Sequence, residues 1–307
     1  MADRCEDKDS PFLEFRRALR KRAKKKYVSN SLALALAEVP NTPLRTSYWN
    51  TWHCSEVIEV ADGRATSAYC KNRWCLQCQS IRIATLINKY RAAIEELPDP
   101  YFVTLTAPNV EGWDLKNEIE RFRECWRKIT HAGRQRKGFK GLRKCECTAR
   151  PGNEFHYHFH IIVDGKENAE WLLKRWLRLN LHVNASPKAQ DLRPLDKNGL
   201  VELFKYFTKL TAYDTQEKRR KMQDPRALDL IFQSMRGTRV FQSFGGFVAI
   251  DEEEFDMTAE NTELANGVYA WYSSDWFKME VDGSRSETGI TGFVPSAALN
   301  EFWNIEQ

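Results

Sequence analysis

The chain has 307 residues, of which 42% are apolar and 12% aromatic, and its net charge is +5. This composition excludes wholesale disorder, because disordered chains contain few aromatic residues, and the longest apolar run, 31–37, is far shorter than the roughly 20 residues of a membrane-spanning helix. From Phe247 onward thirteen acidic residues accompany only two basic ones, so residues 1–246 carry +16, which is typical of a polyanion-binding protein with an acidic tail.

The N-terminal region, residues 1–48, is predicted to be a basic arm with helical stretches. Its densest basic run could neutralise several phosphates at once, and we expect it to bind DNA, although a solvated helix face would have the same composition. The run consists of Arg16, Arg17, Arg20, Lys21, Arg22, Lys24, Lys25 and Lys26.

Four of the eight cysteines form a spaced cluster. The N-terminus lacks the apolar stretch of a signal peptide, so we expect a cytoplasmic protein, whose cysteines are metal ligands or buried thiols rather than disulfides. Cys54, Cys70, Cys75 and Cys78 have the spacing of a tetrahedral structural zinc site. Two alternatives are His53 in place of Cys54 and a set of ordinary buried thiols.

Helices and strands alternate in the next region. Helical periodicity over 82–97 ends at Pro98 and Pro100, and 101–106 has the composition of a strand. Asp114 has the position of a helix cap, and a helix with an apolar stripe follows it. A basic, glycine-containing loop, residues 133–141, then supplies further candidate phosphate contacts: Arg134, Arg136 and Lys137.

Residues 142–148 and 155–163 are predicted to pair as a hairpin whose second strand carries alternating histidines. On a strand, His156, His158 and His160 share one face, but the outer two lie about 13 Å apart, too far to bind one ion together. We predict His158 and His160 as metal ligands because they adjoin the apolar end of the strand, with His156 as the alternative. Glu146, on the preceding strand, is the candidate third ligand, or else the partner of a basic residue.

Helical periodicity over 199–210 places Glu202, Tyr206 and Lys209 within about 60° of one another on one helix face. A phenol is a poor nucleophile at neutral pH, but a cation that polarises a phosphodiester, together with a nearby lysine, suits covalent attack by tyrosine. Beyond Gly246 the chain becomes acidic and aromatic, with strand-like patches such as 269–277.

Taken in order, these segments resemble the plasmid rolling-circle replication initiators of the HUH endonuclease superfamily, in the class with one catalytic tyrosine. Residues 102–106 (FVTLT) resemble the first motif of that family, and His158-Phe159-His160 resembles its metal motif. Tyr206 with Lys209 resembles the third motif. The cysteine cluster and the Gly245-Gly246 turn are also similar to the family, and the resemblance covers roughly residues 50–250.

The resemblance implies a site-specific endonuclease that uses Mg2+ or Mn2+ at His158 and His160. Tyr206 would attack the phosphate of a single-stranded or hairpin origin, which leaves a 5′-phosphotyrosine and a 3′-OH for a host polymerase. Lys209 would offset negative charge, and Glu202, four residues before the tyrosine, would activate the water that ends the reaction. The sequence has no G-x-x-x-x-G-K-[ST] phosphate loop, so a host helicase is an implied partner.

The expected fold class is α+β: a central antiparallel sheet carries the histidine strand, helices flank it, and a small zinc-binding knuckle precedes it. The expected domains are the arm at 1–48, the cysteine-rich region and helix at 49–97, the endonuclease domain at 98–250, and an acidic segment of unassigned role at 251–307. Two alternative functions are a transposase or relaxase with the same chemistry and a non-catalytic, zinc-stabilised DNA-binding regulator.

Overall fold

The computed structural model describes residues 11–205, 209–214, 219–249, 259–261 and 264–303. They form two compact units. The first unit contains the described residues up to Arg82, those of 220–222 and those after 254, and the second contains the remainder. None of the helices in the described part of the chain has the length and apolar content needed to cross a membrane.

The described residues contain eight α-helices and thirteen strands, together with short 3-10 turns. The helices are α1 (Pro11–Ala37), α2 (Arg45–Trp52), α3 (Leu76–Glu95), α4 (Leu115–Gly133), α5 (Lys166–Leu179), α6 (Lys197–Leu203), α7 (Pro225–Ser234) and α8 (Ala297–Trp303). The strands are β1 (Val57–Ala61), β2 (Arg64–Ser67), β3 (Pro100–Thr106), β4 (Val110–Glu111), β5 (Gly141–Arg150), β6 (Glu154–Asp164), β7 (Asp191–Pro194), β8 (Thr211–Asp214), β9 (Arg219–Met222), β10 (Phe241–Phe244), β11 (Ala259–Asn261), β12 (Gly267–Tyr272) and β13 (Asp275–Lys278).

The first unit is built on an antiparallel sheet of order β11-β2-β1-β12-β13. Ala23 and Tyr27 of α1 pack against this sheet with Ile58 and the fully buried Trp276. Three of the five strands therefore come from the acidic C-terminal segment, whose role the sequence left unassigned, and α1 is packed rather than free.

The second unit is built on an antiparallel sheet of order β10-β5-β6-β3-β7, in which β4 also pairs with β6. The histidine strand β6 lies in the interior of this sheet, between β5 and β3. Helices α4 and α5 contact the strands. The predicted α+β class, with an antiparallel sheet flanked by helices, is confirmed.

Alternation along β6 assigns its side chains to two faces. Phe159 packs edge-on against Phe122 and Trp126 of α4, and its ring centroid lies 5.9 Å from that of Trp176 of α5. This apolar face fixes the register of β6, because a shift of one residue would turn the histidines towards α4 and α5 in place of Phe159. His158 and His160 therefore lie on the opposite face.

The Gly245-Gly246 turn follows β10, and Gly245 has a φ of +67°. A Cβ atom there would lie 1.8 Å from the carbonyl oxygen of Phe139, a backbone atom that cannot rotate away. We expect Gly245→Ala to lower the free energy of unfolding by at least about 2–3 kcal/mol, since clash adds to backbone strain.

The matched control for Gly245→Ala is Gly152→Ala, in the turn between β5 and β6. Gly152 has a φ of +80° but no neighbouring atom within 4 Å of the added Cβ. Gly152→Ala should therefore lower the free energy of unfolding by only about 1–2 kcal/mol, from backbone strain alone. Urea denaturation of both variants checks the prediction. If both variants lose the same free energy of unfolding, the contact with Phe139 does not add to the cost of a side chain at position 245.

Candidate metal and nucleophile site

The histidine strand and its neighbours bring a compact set of polar side chains together. In the antiparallel register, Glu146 of β5 is opposite His158, and Lys144 is opposite His160. Directly opposed residues have Cβ atoms about 4.5–5.5 Å apart, so these four side chains share one face at contact distance. Glu146 was predicted to reach this face, whereas Lys144 was missed by sequence reasoning.

Three ligand atoms point at one another on this face. The Nε2 atoms of His158 and His160 are 3.1 Å apart. Glu146 completes the group, with its Oε1 3.9 Å from the His158 Nε2 and its Oε2 3.5 Å from the His160 Nε2. All three side chains are buried, and their ligand atoms lie within 4.8 Å of one another.

The remaining ring nitrogens have partners that orient the imidazoles. The His158 Nδ1 lies 3.3 Å from the carbonyl oxygen of His156, which can only accept, so this nitrogen carries the hydrogen and Nε2 keeps its lone pair. The His160 Nδ1 lies 3.2 Å from the hydroxyl of Thr104, on the strand that resembles the first family motif. Such partners on the outer nitrogen are typical of metal-binding histidines.

The third histidine of the strand, His156, does not join the group. Its Nε2 lies 2.9 Å from the Thr106 hydroxyl and its Nδ1 lies 3.0 Å from the side-chain oxygen of Asn109. Both nitrogens are therefore engaged elsewhere. The geometry favours the pair His158 and His160 over the alternative that includes His156.

The surroundings of Glu146 and His158 lower the pKa of both groups. Burial raises the pKa of Glu146, but hydrogen bonding to His160 and the positive charge of Lys144 outweigh it, so the pKa falls below its usual value. Burial lowers the pKa of His158 to about 3, against the opposing effect of Glu146. A neutral imidazole beside an ionised carboxylate is the state that binds a cation.

The donor set fits a divalent ion. Neighbouring ligand atoms of an octahedral ion with bonds of about 2.1 Å lie about 3.0 Å apart, close to the 3.1 Å between the two Nε2 atoms. Two imidazoles and one carboxylate leave coordination positions for substrate oxygen or water.

Lys144 is fully buried in this site, with no exposed side-chain surface. Its Nζ donates to Glu146 Oε2 at 2.9 Å and to the backbone carbonyl of Glu202 at 3.1 Å. Two signals could have identified it: it precedes Glu146 by two residues on the strand, and the hairpin register places it opposite His160. It links the Glu146 carboxylate to the end of helix α6.

Glu202 reaches the same site from the last turn of α6. Its Oε1 lies 3.9 Å from the His160 Nε2, while its Oε2 accepts from Lys205 at 2.6 Å. The carboxylate is 30% exposed, so water can reach it. The structure therefore brings the predicted acid to the histidine pair.

The predicted helix over 199–210 is longer than the observed one, because none of the described residues after Leu203 in this range is helical. Helix α6 begins at Lys197 and ends at Leu203, and Lys209 is not helical. Phe204 leaves the helix and stacks on Phe241 within an apolar cluster, and the sequence at 204–208 is rich in residues of low helix propensity. Lys209 therefore does not lie on the helix that carries Glu202, which corrects the predicted common helix face at this residue.

Of the two remaining catalytic candidates, the structure describes Lys209 but not Tyr206. Tyr206 lies outside the described residues. Lys209 is exposed, and its positive charge is among the influences that lower the pKa of His156, after burial and Arg150. Lys209 is thus close enough to the histidine strand to act on it electrostatically.

The four predicted cysteines of the first unit meet in one cluster. Their sulfur atoms lie within 4.8 Å of one another, with Cys78 Sγ 3.5 Å from Cys54 Sγ and 3.6 Å from Cys70 Sγ. A tetrahedral zinc ion with Zn–S bonds of about 2.3 Å separates its sulfurs by about 3.8 Å, so the donor set fits zinc. The alternative ligand His53 is mostly exposed and pairs with Glu56 instead.

Backbone amides and a buried lysine surround the cysteine cluster. The amide of Lys71 donates to Cys78 Sγ at 3.2 Å, and the amide of Cys70 donates to Cys54 Sγ at 3.4 Å. The Lys26 ammonium donates to the carbonyl oxygen of Trp52 beside the cluster, and burial lowers the pKa of Lys26 to about 8 against the opposing influence of Cys54. Hydrogen bonds and a cation of this kind stabilise thiolates.

The basic run of α1 does not act as a unit. Lys26 is 1% exposed, and Arg22 donates to Ser55 and Tyr69, so the prediction that they contact phosphate is corrected: helical periodicity turns both towards the packed side of α1. The side chain of Arg16 lies outside the described residues. The basic residues of the run that lie on the exposed side of α1 are Arg17, Arg20, Lys21, Lys24 and Lys25.

The predicted basic loop lies between α4 and β5 in the second unit. Arg134 and Lys137 are exposed. Arg136 is half-buried, donates to Asn168 at 3.0 Å and lies over the ring of Trp171. Two of the three loop residues are thus placed where a phosphate can reach them.

The chain is similar to known replication proteins. A family model described as "Replication protein" matches residues 64–270. Similar curated relatives are "Protein rep" of Lentilactobacillus hilgardii, 25% identical over 69% of this chain and 76% of the relative, and "Protein rep" of Bacillus amyloliquefaciens, 25% identical over 66% and 72%.

A third relative, "Protein rep" of Staphylococcus aureus, is 29% identical over 31% of this chain and 44% of its own length. No solved structure matches the chain. The family match covers more than half of the chain. It includes the histidine strand and three of the four clustered cysteines, Cys70, Cys75 and Cys78. The chain therefore belongs to the replication protein family, and its expected kinship with plasmid rolling-circle replication initiators is confirmed.

Proposed function

We propose that the chain starts rolling-circle replication by nicking one strand at the origin of its replicon, through attack of a tyrosine on a phosphodiester. The observation that carries this proposal is the buried group of Glu146, His158 and His160, with two imidazole lone pairs and a carboxylate converging on one point. A regulator that only binds DNA would have no need of this group. Membership in the family accounts for origin DNA as the partner.

The proposed nucleophile is Tyr206, chosen from its position four residues after Glu202 and three before Lys209. Its phenolate oxygen bonds to the scissile phosphorus while the bond from phosphorus to the 3′ oxygen breaks. The products are a 5′-phosphotyrosine and a 3′ oxyanion, which takes up a proton to become the 3′-OH primer for a host polymerase. A host helicase would separate the strands.

His158, His160 and Glu146 would hold the divalent ion. When bound, such an ion withdraws electron density from a phosphate oxygen and makes the phosphorus more susceptible to attack. Lys209, exposed near the histidine strand, offsets negative charge on the phosphate or the phenolate. Glu202, partly exposed at the edge of the site, accepts a proton from the water that cleaves the phosphotyrosine at the end of the reaction.

The cysteine cluster has a separate role in this proposal. Cys54, Cys70, Cys75 and Cys78 would bind one structural zinc ion, because four thiolates occupy all tetrahedral positions and leave none for substrate. The exposed basic side chains of α1 and of the loop after α4 would contact the phosphate backbone of the origin strand.

Covalent capture of a labelled oligonucleotide tests the reaction. The protein is incubated with single-stranded oligonucleotides from its replicon in Mn2+ or EDTA, and the products are separated by denaturing electrophoresis. We expect an adduct that requires the metal and that falls at least about a thousandfold in Tyr206→Phe, since the nucleophile is lost. Tyr213→Phe is the control, because it changes a nearby tyrosine outside the motif.

Three outcomes would contradict the proposal in different ways. Tight binding without an adduct on any origin oligonucleotide would favour the zinc-stabilised regulator. An adduct that survives in Tyr206→Phe but not in Tyr213→Phe would place the nucleophile at the other tyrosine. Cleavage of a transposon end or a transfer origin, and not of a replication origin, would favour the related transposase or relaxase.

A further inference from the structure

A polar cavity lies in the second unit, on the face of the sheet opposite the histidines. Its volume is about 380 Å³, and it adjoins β5, α4 and the segment from Gly237 to Gln242. Arg143 lines it and alternates with Lys144 along β5, so the cavity and the metal site use opposite faces of the same strand. The residues that determine its chemistry are Arg123, Trp126, Arg127, Arg143, Thr238 and Arg239.

The cavity is strongly positive. Four guanidinium groups line it, and no carboxylate does so among the described residues. Arg123 and Arg127 pair with glutamates one helical turn earlier, at 3.0 and 2.8 Å, and these glutamates lie outside the lining. Within the described part of the chain, neither Arg143 nor Arg239 forms an ion pair. An anion would therefore meet two guanidinium groups whose charges are not already neutralised.

Three buried donor atoms, all on residues that line the cavity, have no hydrogen-bond partner among the described residues. They are Arg143 Nε, Trp126 Nε1 and the hydroxyl of Thr238, on residues that are 4%, 3% and 6% exposed. Buried polar groups nearly always have partners, because an unpaired one carries its full desolvation cost. Three such donors around one cavity favour a ligand made of acceptors.

The arginine at the centre of this group is held in place. The Arg143 guanidinium lies over the rings of Trp126 and Phe159, at 5.3 and 4.6 Å, and its Nη2 donates to the carbonyl oxygen of Arg239 at 3.1 Å. A guanidinium fixed in this way loses little freedom when it binds an anion, and its planar fork matches the oxygens of a phosphate.

We propose that this cavity is an anion site that binds a phosphate group. A phosphate presents acceptor oxygens and negative charge, which match the three unpartnered donors and the four arginines. The volume is that of a small ligand pocket, so a nucleotide or a phosphate of a DNA strand can enter it. Thr130 and Gln242 also line a neighbouring cavity with Arg134 and Arg136, which offers a continuing positive path for a strand.

Thr238→Val is the first test, because it removes the unpartnered hydroxyl and nearly keeps the shape of the side chain. The probe is inorganic phosphate, added to the full chain in EDTA at constant ionic strength. We expect phosphate to raise the melting temperature of the wild-type protein by at least about 2–4 °C and to raise that of Thr238→Val far less. Without phosphate, the variant should melt at or above the wild-type temperature, since it loses no hydrogen bond.

Arg239→Gln is the second test, and Arg236→Gln is its matched control. Both arginines are exposed and close in sequence, so both variants lose the same charge, but only Arg239 lines the cavity. We expect Arg239→Gln to weaken binding of phosphate about tenfold and Arg236→Gln to leave it almost unchanged. A fluorescent single-stranded oligonucleotide, measured by anisotropy, provides the second probe.

The outcomes distinguish the two sources of phosphate. Binding of inorganic phosphate that Arg239→Gln weakens supports a site for a free anion or nucleotide, and displacement of that phosphate by the oligonucleotide supports a strand phosphate. A loss of oligonucleotide affinity that is confined to Arg239→Gln also supports the strand.

The proposal is overturned if Arg239→Gln matches Arg236→Gln with both probes and Thr238→Val matches the wild type. These measurements need neither Mn2+ nor Tyr206, so their failure would not bear on the nicking reaction.

Discussion

Replacing Lys144 with methionine is expected to lower the free energy of unfolding, measured by urea denaturation in EDTA, by about 3–5 kcal/mol. Methionine nearly preserves the shape of the side chain, so the loss comes from the charge and its hydrogen bonds. Glu146 would remain buried and ionised without its cation, and the carbonyl of Glu202 would lose its donor. Removing one partner of a buried ion pair costs more than removing a surface pair because the other charge cannot reach water.

The same variant should respond more strongly to a divalent ion than the wild-type protein does. The Lys144 ammonium repels a cation at His158 and His160, and it occupies the Oε2 atom of Glu146 that would bind one. With methionine there, Mn2+ becomes the partner of the carboxylate. We therefore expect Mn2+ to restore a large part of the lost stability and to raise the melting temperature of Lys144→Met more than that of the wild type.

Lys205→Met is the matched control for Lys144→Met. Lys205 pairs with the side chain of Glu202 at 2.6 Å, but its own side chain is 57% exposed, so its loss should cost no more than about 1 kcal/mol. It should also leave the response to Mn2+ nearly unchanged. If Lys144→Met is as stable as Lys205→Met, the buried ion pair with Glu146 does not stabilise the fold. If it gains no more from Mn2+ than the wild type, Lys144 does not compete with the ion for Glu146.

The parts of this site that sequence predicted are those governed by local periodicity. His158 and His160 share a face because side chains alternate on a strand, and Glu146 reaches them because a short turn fixes the hairpin register. Lys144 follows the same rule, two residues before Glu146. It was missed because a lysine on a strand is usually solvated, and only the packing of α6 over it shows that it is buried.

The parts that sequence did not predict depend on distant contacts. Helix α6 ends early because Phe204 packs on Phe241, a residue 37 positions later in the chain. The C-terminal strand β12 pairs with β1 across about two hundred residues, which no local pattern specifies. Lys26 is an intermediate case, since the buried residues Leu19 and Ala23 place it on the packed stripe of α1.

The second large effect is expected at the cysteine cluster: Cys78→Ser should abolish zinc binding and unfold the first unit. Zinc content, measured by mass spectrometry of the metal, should fall from about one ion per chain to nearly none. Structural zinc contributes about 10–16 kcal/mol in zinc-finger peptides, whereas the whole stability of a domain is about 5–15 kcal/mol. The loss of a single ligand can therefore exceed what the rest of this unit supplies.

The buried cysteines form a small apolar group of their own. The apolar group formed there consists of Cys54, Cys75 and Cys78, with Tyr69 and Cys70 at its edge. Such a small group buries too little apolar surface to fold without a metal. Ser55 directly follows Cys54, and its carbonyl oxygen accepts a hydrogen bond from the buried indole of Trp276 at 2.9 Å. This bond connects the cluster to the sheet of the first unit.

Hydrogen exchange locates the expected unfolding. Peptides from β1 and β12 should lose their protection in Cys78→Ser, whereas peptides from β5 and β6 should keep theirs, because they belong to the other compact unit. Cys125→Ser is the control: Cys125 is buried in the second unit and is not part of the cluster. It should retain zinc and the protection of β1 and β12.

Two results would refute the zinc prediction, and they have different meanings. If Cys78→Ser keeps its zinc, the four sulfurs are not the ligands, despite separations that match a tetrahedral ion. If it loses zinc but β1 and β12 stay protected, the metal binds without holding the sheet, and the contacts of Trp276 and α1 suffice to stabilise it. We expect neither result, because the sulfur separations match a tetrahedral zinc site and Ser55, next to Cys54, bonds to Trp276 in the sheet.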